Sequence, residues 1–396
     1  MLHITCKYGV TKFTPEAMAC LGAFLASSGS IKEGIRVGNV AEKLLNQSSF
    51  FNQKELKGRT YAWIAGCTRW WARPIPINLD MLIKGNECCM AAGSITFACH
   101  CHVMYSINFF YSGLPLGPLL KDVEKICSLF LEYGQLPNFR VLTPLWHCLL
   151  NLTGKSRDPS KMEVGVATDT THIAKLGGAT GQGPKNSYSM QILFYLGDYD
   201  RASEIAQELK ADPPGLMKSM VFSSSRSFFI CLLCLADYRR KGRKRKDKVE
   251  AQKYIKYFHK LVSEGAVNIV HKLKILEAEF ATLSGTKLTT DKLCRMYDDA
   301  IIFARKTGFL QDAALANYLC FQVCLERQEL LVAEGYIRDA FVLYKMWNAD
   351  AIAESLCRRH PEYEKSFSLN APVNGSHRSR EVFNSSLMQQ HKVLFL

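Results

Sequence analysis

No strand-like alternation of apolar and polar residues is sustained over five positions in these 396 residues, which argues against a sheet. Nor does the chain carry a His-Arg-Asp, Asp-Phe-Gly, Gly-x-Ser-x-Gly or His-Glu-x-x-His string, so the familiar signatures of kinases, serine hydrolases and zinc proteases are missing. No histidine has the His-Glu-x-x-Thr-Pro setting of a phospho-acceptor helix. Charge is absent from Cys88 to Leu120, which holds no Asp, Glu, Lys or Arg. Acid is also scarce: 36 Asp and Glu face 50 Lys and Arg, a net charge of +14. The surplus is local, because RRKGRKRKDK at 239–248 supplies half of it. Apolar residues at 48% and charged residues at 22% match a globular chain and exclude a disordered, collagenous or plain coiled-coil one.

The 15 cysteines are an odd number, and several (Cys127, Cys294, Cys320, Cys324) fall inside apolar periodic segments. We read them as small buried hydrophobes in a reducing compartment. The Asn-x-Ser/Thr triplets at Asn46, Asn151, Asn374 and Asn384 then carry no meaning. The opening MLHITCKYGVTKF is too polar for a secretory leader. The charge-free run 88–120 is long enough for a membrane span. It also contains His100, His102, Asn108 and the breaker string Gly113-Leu-Pro115-Leu-Gly117-Pro118. Polar groups of this kind are costly at a bilayer centre, so a buried central helix is the preferred reading.

Helical periodicity runs from 14 to 357. Thr14 is placed as a cap, Pro15 at the first position, and Ala17, Leu21, Phe24 and Leu25 on one face. Val37, Val40, Ala41, Leu44 and Leu45 mark a second helix. Leu56, Thr60, Trp63, Ile64, Cys67 and Trp71 mark a third, and Leu79, Leu82, Ile83 and Met90 a fourth. The charge-free run supplies the fifth. Leu119, Leu120, Val123, Ile126, Cys127, Phe130 and Leu131 mark a sixth. Residues 152–186, rich in Gly, Ser and Thr, read as a flexible linker, and 368–396 as a disordered tail. The predicted fold is therefore all-α in two blocks: 1–151, and 187–367 with a basic insertion at 239–248. Leu196-Gly-Asp-Tyr-Asp-Arg-Ala202 resembles the elbow of a tetratricopeptide unit, whose period is 34.

Three motifs invite chemistry. Gly177 to Lys185 is Gly-rich, but Pro184 precedes the lysine, Asn186 follows it and no strand leads in, so a phosphate loop is disfavoured. Cys88-Cys89 and Cys99-His100-Cys101-His102 suggest zinc, yet they lie within helices where Cys99 and His102 share a face and Cys101 does not. The run Arg239–Lys248 could be a nuclear address or touch an anionic partner. Aromatics do not interleave with it, so base stacking is unsupported, and a solvated helix–helix loop is preferred. No catalytic, cofactor-binding or metal-binding residue is expected.

The segment 297–361 carries Tyr297-Asp-Asp-Ala-Ile301, Ala304, Gly308-Phe309 and Asp312-Ala-Ala-Leu-Ala-Asn317. It continues through Ala333, Tyr336-Ile337, Ala340, Tyr344, Trp347, Ala349, Leu356 and Pro361. This resembles the helical region of large signalling proteins that join a serine/threonine kinase-like domain, a STAND-type ATPase, a GAF domain and a sensor histidine kinase. Tyr8-Gly9, Pro15-Glu16, Gly34, Ala41, Leu44-Leu45, Arg73-Pro74, Gly85, Ala92-Gly93, Ala98 and Phe110-Tyr111-Ser112-Gly113 resemble its earlier helices. The chain departs from it at Asn348, where that family usually has glycine. The resemblance implies a helical segment between ATPase and GAF domains, without catalytic motifs of its own. The expected function is a cytoplasmic, non-catalytic scaffold or regulatory region contacting a protein, a peptide or neighbouring domains. The alternative is a membrane-associated protein with a span within 88–120.

Overall fold

The computed structural model describes residues 2–47, 53–161, 182–210, 216–242, 244–283 and 287–367. Among these residues the regular elements are all helices, as the periodicity predicts. In chain order they are α1 (Leu2–Tyr8), α2 (Thr14–Ser27), α3 (Ile31–Gln47), α4 (Lys54–Trp63), α5 (Ile75–Ala91), α6 (Ile95–Tyr111), α7 (Leu116–Glu132) and α8 (Leu136–Leu152). Then come α9 (Gln182–Leu196), α10 (Tyr199–Lys210), α11 (Val221–Arg240), α12 (Arg245–Ser263), α13 (Val270–Thr282), α14 (Thr290–Lys306), α15 (Leu310–Glu326), α16 (Leu330–Met346) and α17 (Asp350–Arg359).

Neighbours in sequence pack as antiparallel hairpins joined by tight turns. Asn348 ends α16 at φ 62°, a left-handed position that asparagine tolerates better than most residues. Its Oδ1 also accepts from the Gly117 amide at 3.3 Å, so this residue links two distant hairpins. The Leu116 amide donates to the Trp347 carbonyl at 2.9 Å, and Gln311 Nε2 donates to the Tyr111 carbonyl at 3.3 Å. Through such contacts the two sequence blocks share one contiguous apolar cluster, from Ala19 to Leu356.

The charge-free run is broken by turns at Gly93 and Gly113, leaving α6 at 17 residues. Its residues Ala98, Cys99, Cys101, Val103, Phe110 and Tyr111 are buried, against α4, α5, α7, α8 and α11. Among the described residues, the helix long and apolar enough to cross a membrane is α11, with mean hydropathy 1.3, and 72% of that window is buried inside the protein.

Several expectations need correction. Helix α2 buries Ala19, Gly22, Ala23 and Ala26, while Phe24 is 64% exposed. Small residues face inward because α2 and α3 cross closely: a Cβ on Gly34 would meet the Gly22 carbonyl at 2.7 Å. Thr14 is the first residue of α2, and its hydroxyl accepts from the Thr11 amide instead of capping its own helix. Met90 and Leu131 are exposed at their helix ends. The third predicted helix does not run straight to Trp71; α4 gives way to a π turn at Ile64–Thr68 and a 3-10 turn at Arg69–Trp71. Helix α9 starts at Gln182, so 182–186 are helical and not linker. Residues 162–181 and the tail 368–396 lie outside the described residues.

The basic run is not a loop either. Arg239 and Arg240 close α11 and Arg245–Lys248 open α12, with a turn at Lys241-Gly242 and Arg243 outside the described residues. Arg239 pairs with Glu279, and Arg240 and Lys241 both reach Asp200 at 3.0 Å.

Candidate functional site

The π turn after α4 contributes to the wall of a cavity. Adding a residue to the helical ladder re-aims the side chains around it, and such bulges recur at functional sites. Trp63 precedes the bulge and Cys67 lies within it, and Gly66 lets Met104 approach: a Cβ there would lie 3.1 Å from the Met104 Sδ. Between α4, α6, α8 and α9 this leaves a cavity of about 240 Å³, lined by Trp63, His100, Met104, Val141, Tyr188 and Phe222 among others. A second hollow of about 250 Å³ shares Trp63, His100 and Asn138 with it and is rimmed by Arg59 and Phe97. The Arg59 guanidinium lies 4.2 Å from the centre of the Phe97 ring and pairs with Glu16 at 2.7 Å.

The walls are mainly apolar, with a few polar groups converging. Burial lowers the His100 pKa below the usual histidine value, so its ring enters as a neutral donor and acceptor. Asn138 Nδ2 donates to the Thr96 carbonyl at 3.4 Å. Burial pushes the Cys67 thiol up to about 11, and the Ser187 hydroxyl donates to the Gly183 carbonyl at 2.9 Å. An apolar cleft with a few fixed polar groups suits binding of an apolar side chain or ring.

The motif residues scatter. Cys89 and Cys101 meet where α5 crosses α4 and α6, their thiols 3.9 Å from the Glu55 and Gly58 carbonyls respectively. His100 faces the cavity, and the ring of His102 is desolvated, which pulls its pKa down to about 4. These six residues do not converge on one ligand centre. Of the Gly-rich stretch, 177–181 lie outside the described residues, and Gly183 to Lys185 form the first turn of α9.

Two groupings escaped the sequence reading. One is a buried polar network in the C-terminal half. Asp312 accepts from Lys272 Nζ at 2.7 Å and contacts His271 Nε2 at 2.8 Å, all three side chains nearly inaccessible. Burial would raise the Asp312 carboxyl, but Lys272 and His271 outweigh it and hold the pKa at about 2. Glu279 bridges Arg239 and the Tyr297 hydroxyl nearby. An Asp within LQDAALANYLCFQVC was a visible signal; its partners on α13 were not. The other grouping is Cys294, Cys320 and Cys324, whose sulfurs converge between α14 and α15.

No protein family matches the chain, and no curated protein does.

Proposed function

We propose that the chain is a non-catalytic helical-repeat scaffold that holds a partner protein segment or a neighbouring domain in signal transduction. The observation that carries this reading is the even spacing of its helices. Helices α5 to α8 start at residues 75, 95, 116 and 136, and α14 to α17 at 290, 310, 330 and 350. Stacked hairpins of constant length present equivalent faces side by side, which is how repeat arrays build extended binding surfaces. Successive pairs start about 40 residues apart, against 34 for a tetratricopeptide unit, so the units are longer hairpins of degenerate sequence.

The resemblance of 297–361 to the helical region between ATPase and GAF domains supports the signalling assignment. In that setting the array would relay the state of one neighbouring domain to another. The fifteen cysteines are free thiols, which fits a cytoplasmic site of action. The cavity beside Trp63 is where a partner's apolar side chain would anchor. The charge-free run favours one second reading, a membrane-associated protein with its span within 88–120. That arrangement would require α6 to leave the five helices that cover it.

The test is capture of partners by the full chain from its native cells, with Trp63→Ala as the paired variant. A partner retained by the wild type and lost by a variant of unchanged melting temperature supports the scaffold reading. Equal retention by both sinks the anchoring role of the cavity, and recovery of the chain in a carbonate-resistant membrane pellet favours the second reading.

A further inference from the structure

Cys320 and Cys324 lie one helical turn apart on α15, so their side chains share a face. Cys294 reaches them from α14, the other arm of the hairpin. Its Sγ is 3.5 Å from that of Cys324 and 3.8 Å from that of Cys320, and all three sulfurs lie within 4.8 Å of one another. Cys320 and Cys324 are fully buried and Cys294 is 8% exposed, which leaves one edge of the cluster open to entry.

We propose that these three sulfurs form a binding site for a single thiophilic d10 cation, Zn(II) or Cu(I), which would staple α14 to α15. A metal with bonds of ~2.3 Å to sulfur holds its thiolates ~3.8 Å apart when tetrahedral and ~4.0 Å apart when trigonal. The two spacings from Cys294, 3.5 and 3.8 Å, lie within ~0.3 Å of the tetrahedral value. Thiolate sulfur selects Cu(I) and Zn over hard cations. A disulfide would use two sulfurs and leave the third without a role, whereas a metal uses all three.

The surroundings suit the charge. Arg327 lies close enough to favour the Cys294 thiolate electrostatically, and the Tyr336 hydroxyl is within hydrogen-bonding reach of the same sulfur. Tyr336 also donates to Asp298 Oδ1 at 2.9 Å, which fixes its ring beside the cluster. Binding of Zn(II) by three thiols would release three protons to solvent and leave a site of net charge −1, facing Arg327. The Tyr336 oxygen or a water could complete a tetrahedron; Cu(I) needs no fourth ligand.

The experiment uses the full chain, reduced and stripped with a chelator. It is loaded separately with Zn(II) and with Cu(I), then challenged by a chromophoric chelator for each ion. Cys320→Ala, Cys324→Ala and the rim variant Cys294→Ser are compared with Cys148→Ala, a buried lone thiol on α8, and folding is checked by circular dichroism. The expected result is one equivalent of metal retained by the wild type and by Cys148→Ala. Each folded cluster variant should retain at least tenfold less at the same chelator concentration, and metal should raise the melting temperature of the wild type alone. Which ion is retained assigns the site to Zn(II) or Cu(I). Failure of the reduced wild type to hold either ion, or equal retention by Cys294→Ser, overturns the proposal.

Discussion

Asp312 holds both the ring of His271, at 2.8 Å, and the ammonium of Lys272, at 2.7 Å, on a single carboxylate oxygen in the core between α13 and α15. The ring of His271 stacks on Phe309 at 4.2 Å, so the same residue meets a charge on its edge and an aromatic on its face. This network ties α13 to α15 by charge within the core.

Asp312→Asn should therefore be among the most damaging single changes. It leaves the Lys272 ammonium in the core without its counter-charge, and breaking a buried pair from one side costs ~3–5 kcal/mol. Replacing both ends, as Asp312→Leu with Lys272→Met, should recover much of that loss, because no orphaned charge remains. Urea unfolding of the single and double variants checks the ordering. A loss below ~1 kcal/mol for Asp312→Asn would mean that Lys272 swings out to water.

Acid should destabilise the protein in two stages. Burial, helped by the charge of Lys185, pulls the His147 pKa down to about 4, and burial also lowers that of His271. Each is neutral in the folded state and charges on unfolding. The unfolded chain therefore binds more protons below the ordinary histidine value of ~6.5, and stability falls as pH falls from there towards 4. The slope is at most ~1.4 kcal/mol per pH unit for each such histidine. Asp312, held at about 2, contributes stability above ~3.8 that is lost as pH drops from there towards 2. Denaturant midpoints between pH 7 and 3 test this, with His147→Gln expected to flatten the upper limb.

Two glycine-to-alanine changes should have opposite signs. On Gly34 a Cβ would meet the backbone of Gly22 at 2.7 Å and of Ala26 at 3.0 Å, so α2 and α3 must move apart, at a cost of ~1–3 kcal/mol. Gly335 lies inside α16 with nothing within 4 Å of its would-be Cβ. Alanine there should stabilise by ~0.4–1 kcal/mol, by narrowing the unfolded ensemble and favouring the helix. If both variants melt at the same temperature, the close crossing of α2 and α3 is not a constraint.

The same crossing explains what the sequence concealed. On α14 the apolar residues Tyr297, Ala300, Ile301 and Ala304 recur at helical spacing and are all buried, so periodicity located that face correctly. On α2 nearly every position is apolar or small, and the rule that large apolar residues go inside selects Phe24. Backbone approach decides the matter instead, and only Gly22, Ala23 and Ala26 fit the gap. The cavity could not be read because Trp63, His100, Asn138 and Tyr188 come from four helices whose crossings no local pattern fixes. The cysteine cluster was half legible: Cys320 and Cys324 share a face by spacing, but Cys294 joins them only through the α14–α15 packing.

Helix α16 offers the sharpest test of which faces carry the packing. Of the apolar face at 333, 336, 337, 340, 341 and 344, Ala333, Ile337, Ala340, Phe341 and Tyr344 are buried, and Tyr336 is half-buried. Arg338, next to Ile337 in sequence, is charged yet only 8% exposed, so this helix is covered on more than one side. Its Nε lies 3.5 Å from the Asp339 carboxylate. Ala340→Leu should overpack the crossing with α15 and cost ~1–3 kcal/mol. Arg338→Ala should cost ~1–2 kcal/mol through lost packing of its long stem. Leu331, 89% exposed at the start of the helix, supplies the control, and Leu331→Ala should stay within ~0.5 kcal/mol of wild type. Thermal melts of the three variants decide the question. Should Arg338→Ala prove as silent as Leu331→Ala, its stem contributes no packing to α16.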